Sequence, residues 1–86
     1  MKKVKVKEIN NYICILRDST GKKYKKNIEF QGLNVLPNDE IYISEKILEE
    51  DNIYLFGPIE DTSYEEEDYI KVIRNDEEFY LQRYYG

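Results

Sequence analysis

The stretch that most constrains the fold is KKVKVKEI, residues 2–9, where Val4 and Val6 alternate with Lys3, Lys5 and Lys7. Successive side chains of an extended strand point to opposite faces, so a period of two puts valines on one side of a sheet and lysines on the other. Asn10 and Asn11 follow, and asparagine tolerates the left-handed backbone of a tight hairpin. The next run, YICILRD, is apolar on both sides. Tyr12, Cys14 and Leu16 share one face and Ile13 and Ile15 the other, as expected of a central strand. DSTG, residues 18–21, is a turn signal. In KKYKKNIEF, Tyr24, Ile28 and Phe30 face inward while Lys23, Lys25 and Glu29 face outward. Lys26 interrupts the inward series and is read as an edge or a bulge. Together these segments predict a three-strand antiparallel meander.

Gly32 and Pro37 punctuate the loop of residues 31–39, whose Leu33, Val35 and Leu36 are expected to plug the bottom of the sheet. Strand character returns at Ile41, Tyr42 and Ile43, turns at residues 49–52, and returns again over residues 53–57, which predicts a second hairpin. The last segment reads as a third hairpin turning at Asn75 and Asp76, with Ile70 and Val72 facing Phe79 and Leu81. A helix over residues 63–74 competes, because Ser63 and Glu66 fit a capping box and Lys71 and Arg74 suit a helix C-terminus. The β-branched and aromatic content of Tyr69, Ile70, Val72 and Ile73 favours the hairpin, leaving one short helical turn near residues 62–68. The expected fold class is all-β, mainly antiparallel, a small barrel-like domain. Residues 1–86 form a single domain, with a core over 1–57, an acidic connector over 58–68 and a C-terminal hairpin over 69–86.

The meander, the second hairpin and the lead-in LPNDEIYI, residues 36–43, resemble the small β-barrels of the OB-fold and SH3-like kind. In those barrels a Gly-Asp turn often precedes a strand of I-x-I pattern; here Asn38 stands where the glycine would be. The resemblance covers about residues 3–57 and concerns the fold alone. It departs from the OB pattern in the link between strands three and four, which is too short for the usual helix. It implies a barrel and no particular function.

With 86 residues, 41% apolar and 36% charged, the chain suits one globular domain. Its longest apolar run, residues 12–16, is far short of the roughly 20 residues of a membrane helix. No apolar segment follows the basic start, and the single cysteine excludes an intrachain disulfide, so a reduced, cytoplasmic setting is expected. Histidine is absent, the three serines have no base to activate them, and the four glycines form no phosphate loop. Cys14 reads as a buried structural thiol. The acid runs at residues 49–51 and 65–68 lack the spacing of a calcium loop. No enzyme activity, metal or cofactor is expected.

Charge is split along the chain. Residues 1–48 carry ten Lys/Arg against six Asp/Glu, a net +4, and residues 49–86 carry three against twelve, a net −9. The primary expectation is therefore a binding or adaptor module for a protein partner. One alternative is single-stranded nucleic-acid binding through Lys3, Lys5, Lys7, Lys23 and Lys25, with Tyr24 or Tyr12 interleaved. Another is an acidic inhibitor or nucleic-acid mimic that docks on a basic partner through Glu65, Glu66, Glu67 and Asp68. Against these stand simpler uses: lysines that solvate a sheet, or a basic half neutralised by the acidic half. A homodimer through an exposed strand edge is a further expectation.

Overall fold

The computed structural model describes residues 1–60 and 65–84. Seven strands form one closed sheet: β1 (Lys2–Asn10), β2 (Ile13–Asp18), β3 (Lys23–Gly32), β4 (Glu40–Ile43), β5 (Asn52–Gly57), β6 (Tyr69–Arg74) and β7 (Glu77–Tyr84). Around the barrel their order is β1-β2-β3-β5-β7-β6-β4, closing back on β1. All neighbours are antiparallel except β3 and β5. The all-β, mainly antiparallel class read from the sequence is the one observed.

The alternation of β1 buries Val4 and Val6 and exposes Lys3, Lys5 and Lys7. A bulge between Val6 and Glu8 then shifts the register against β2 by one residue. Without it, Glu8 would point into the core; with it, Ile9 packs there instead. The hairpin turns at Asn11 and Tyr12, with Asn11 left-handed at φ 58°. Lys26 marks an edge and not a bulge, since β5 joins β3 only from Asn27 onward. It lies opposite Cys14 in an uninterrupted β2–β3 register, on the inward side and half-buried.

Strands β4 and β5 do not pair with each other, in contrast to the expected second hairpin. β4 joins β1 and β6, and β5 joins β3 and β7. Between them lies one turn of helix, α1 (Glu45–Leu48), in the stretch that reads as the end of a strand. Ser44 caps it, accepting from the Ile47 N–H at 3.2 Å, and Ile47 and Leu48 are buried. The β6–β7 hairpin forms in the expected register, Ile70 with Leu81 and Val72 with Phe79, and turns at left-handed Asn75 and Asp76. It fills the gap between β5 and β4 and so completes the barrel. A 3-10 turn at Glu66–Asp68 precedes it; Ser63, the capping candidate, lies outside the described residues.

Gly32 lets the end of β3 approach β5, and Gly57 lets the end of β5 approach β7. Gly32 has φ 88°, and a Cβ there would sit 2.0 Å from the Gly57 carbonyl oxygen. A Cβ on Gly57 would meet Leu81 and the Tyr80 carbonyl at 2.7 Å. Of the three expected plug residues only Val35 is fully buried; Leu33 packs against the core edge and Leu36 is 47% exposed, so the plug is narrower than expected. Asp39, 3% exposed, holds this loop to the end of β6. Arg74 donates to its carboxylate from Nε at 3.0 Å and from Nη2 at 2.7 Å, and to the Asn34 carbonyl at 2.8 Å. This pairing raises the Arg74 pKa further.

Because the sheet closes, each strand has a neighbour on both sides over at least part of its length, with residues 23–26 of β3 paired to β2 alone. No helix among the described residues is long and apolar enough to cross a membrane.

Candidate functional site

The outward positions of β1, β2 and β3 form one basic face. Lys5 lies opposite Arg17, and Arg17 opposite Lys23, so three cations stand in a row across three strands. In the next outward row Ile15 lies opposite Lys25. Lys7 is the extra residue of the β1 bulge and is exposed. Lys3, Lys5, Lys7 and Arg17 line a shared groove of about 280 Å³, with Ser19 and Glu40. Lys3 is held by Glu40 at 3.4 Å. Among the described residues, Lys5, Lys7, Arg17, Lys23 and Lys25 have no carboxylate within ion-pair distance. At the far end of the face, Tyr12 is 58% and Ile13 41% exposed.

Tyr24 does not share this face. It lies between Lys23 and Lys25 in sequence, so the pleat turns it inward, to the mouth of the barrel. Its hydroxyl donates to Asp18 at 3.1 Å and accepts from the Lys2 ammonium at 3.1 Å. Lys2 and Lys22 stand 5.6 and 5.0 Å from its ring centroid. Asp18 is buried beneath them and accepts from the Thr20 hydroxyl at 2.6 Å and from the Thr20 and Lys22 N–H groups. These donors, the Thr20 hydroxyl foremost, hold the Asp18 carboxyl well below the usual carboxylate range despite burial. Tyr24 and Asp18 in turn raise the Lys2 pKa.

The acidic residues lie apart from the lysine face. Glu67 pairs with Lys46 of α1 at 3.2 Å, and Glu66 lies 3.9 Å from the Met1 amino group. Glu65 and Asp68 are exposed and have no ion-pair partner among the described residues. The outward side of β5, β7 and β6 is aromatic instead. Tyr84 contacts Tyr54 and Phe56 with ring centroids 5.7 Å apart, and Tyr69 contacts Tyr80 at 5.9 Å. Lys71 there is paired with Glu78 at 3.2 Å; Arg83, opposite buried Leu55 and so on the inward side of β7, is paired with Glu50.

Cys14 is 1% exposed, and burial pushes its thiol pKa up to about 11, so it stays protonated at neutral pH. Among the described residues no group of three or more His, Cys, Asp or Glu converges to hold a metal ion.

Arg17 is the basic-face residue that the candidate set left out. Its signal was available: it shares the parity of Ile13 and Ile15, so it points outward with them. What pattern alone withheld was the register that seats it between Lys5 and Lys23. No protein-family model, curated protein or solved structure matches this chain.

Proposed function

We propose that this chain is a non-catalytic binding module that holds single-stranded nucleic acid on the outward face of β1, β2 and β3. The observation that carries the reading is the set of five cations, Lys5, Lys7, Arg17, Lys23 and Lys25, that have no carboxylate partner among the described residues. Such cations gain by releasing counterions from a phosphate backbone. Exposed Tyr12 and Ile13 add an apolar surface for bases at one end of the face. The strand order supports a finer fold reading as well. Without the β6–β7 hairpin, the order is β1-β2-β3-β5-β4. That suits a five-stranded Greek-key barrel of OB kind, with the hairpin inserted between β5 and β4. In OB-folds the face of strands two and three and the loop between strands one and two bind oligonucleotides. Here those positions hold Tyr12, Ile13, Ile15, Arg17, Lys23 and Lys25.

The test is retardation of short single-stranded oligonucleotides over a salt series. Five phosphate contacts predict a log–log salt slope of about −3.5. Absence of any retardation at low salt, or a slope near zero, rules the reading out.

A protein partner is the second reading. It is favoured by the ring cluster of Tyr54, Phe56 and Tyr84 on the opposite side, since tyrosine is enriched at interfaces. The acidic docking surface has less support, because Glu67 already serves Lys46. A pull-down that recovers the same partners after Glu65, Glu66, Glu67 and Asp68 are changed to Ser or Ala removes that surface from consideration.

A further inference from the structure

The first half of β3 borders an opening in the barrel wall. Residues 23–26 pair with β2 only, and β5 joins β3 from Asn27 onward, where Asn27 meets Asn52. Beside this opening lies a cavity of about 350 Å³. Lys22, Tyr24 and Lys26 line one wall and Glu45, Leu48 and Glu49 the other.

Lys26 is the anomaly. The alternation of β3 assigns its position to the interior: it lies opposite buried Cys14 and two residues from buried Ile28. An apolar side chain would suit the site, yet a half-buried lysine occupies it. No carboxylate lies within ion-pair distance of Lys26 or of Lys22 among the described residues. Lys2, in the same cavity, is held by Asp18 at 3.5 Å and Glu45 at 3.6 Å. Two ammoniums without an ion-pair partner among the described residues, exposed Lys22 and half-buried Lys26, therefore line one cavity and repel each other. A bound anion relieves that repulsion.

We infer that this cavity takes the terminal phosphate of a nucleic-acid strand, a phosphate monoester that Lys22 and Lys26 bind through ammonium donors. Glu45 and Glu49 on the facing wall accept from the hydroxyls of the terminal sugar. The inference rests on the reading of the outer face as a nucleic-acid surface. The two sites adjoin because Lys23 and Lys25 point outward from the same stretch of β3 that sends Lys26 inward. A strand lying on the outer face reaches the cavity across the edge that β5 leaves free.

The experiment compares one oligonucleotide sequence in three forms: 5′-phosphorylated, 3′-phosphorylated and hydroxyl-ended. Fluorescence anisotropy at fixed salt reads the affinities. One phosphorylated form is expected to bind about tenfold tighter than the hydroxyl-ended form. The double variant Lys22→Gln/Lys26→Gln abolishes that preference and leaves hydroxyl-ended binding within about threefold. Equal affinity for all three forms, or a preference that survives in the double variant, overturns the inference. If no form binds, the outer-face reading fails, and inorganic phosphate and a nucleoside monophosphate then probe the cavity alone. Amide shifts confined to residues 22–26 and 45–49, lost in the double variant, sustain the cavity as a phosphate site. No shift at millimolar ligand overturns it.

Discussion

The two sides of the barrel's outer surface put the same kind of position to opposite use. On β5, β7 and β6, outward side chains meet one another: Tyr84 lies against Tyr54 and Phe56, and Lys71 is paired with Glu78. On β1, β2 and β3, outward cations stand in register beside other cations, and five of them have no carboxylate partner among the described residues. The tyrosine side is largely satisfied within the chain and contributes to stability. The lysine side sets like charges next to one another, which is mildly destabilising on a sheet.

The strongest way to break this contrast is charge reversal. Lys5→Glu/Arg17→Glu/Lys23→Glu is expected to weaken oligonucleotide binding by more than about 100-fold and to leave the thermal midpoint nearly unchanged. Titration and thermal melts read the two effects, and a collapse of the melt would show that the row is structural. Tyr84→Ala is expected to do the reverse. It removes two ring contacts and should cost about 2 kcal/mol in chemical denaturation, with oligonucleotide affinity unaltered. Asp18→Asn probes the mouth that lies beneath the lysine side. The depressed folded pKa of Asp18 contributes stability that is present above its unfolded value, about 4, and is lost as pH falls through the folded value. Denaturation across a pH series should therefore show Asp18→Asn less stable than wild type at neutral pH, with the gap closing in acid. Lys3→Ala gives the smallest effect. Glu40 already engages Lys3, so its loss should weaken binding less than Lys5→Ala and barely alter the salt slope.

Much of the barrel was legible because a period of two is a local property. Val4, Val6, Ile28 and Ile70 announce their side of the sheet wherever their strand ends up, and Asn75-Asp76 announces a turn between neighbouring strands. The pairing of β4 and β5 was not legible. Both are short apolar runs joined by a polar link, which is also how a hairpin reads. Their separation goes with Gly32, which lets the end of β3 approach β5, with Gly57, which lets β5 approach β7, and with β6–β7 filling the remaining gap. The Asp39–Arg74 pair joins residues too far apart for any local signal. In the candidate site, Lys3, Lys5, Lys7, Lys23 and Lys25 could be assigned to outward faces by parity. Tyr24 follows the same rule and is excluded by it.

By itself the amino-acid sequence determined the all-β class, the facing of the strand residues that keep a strict alternation, and the split between a basic and an acidic half, because alternation and composition are properties of neighbours along the chain. Tertiary structure alone decided whether those halves neutralise each other. Closure of the barrel brings Glu67 to Lys46 and Glu66 to the Met1 amino group, while Lys5, Arg17 and Lys23 are set side by side. Charge depends on distance through space, and that distance exists only once the strands have found their partners.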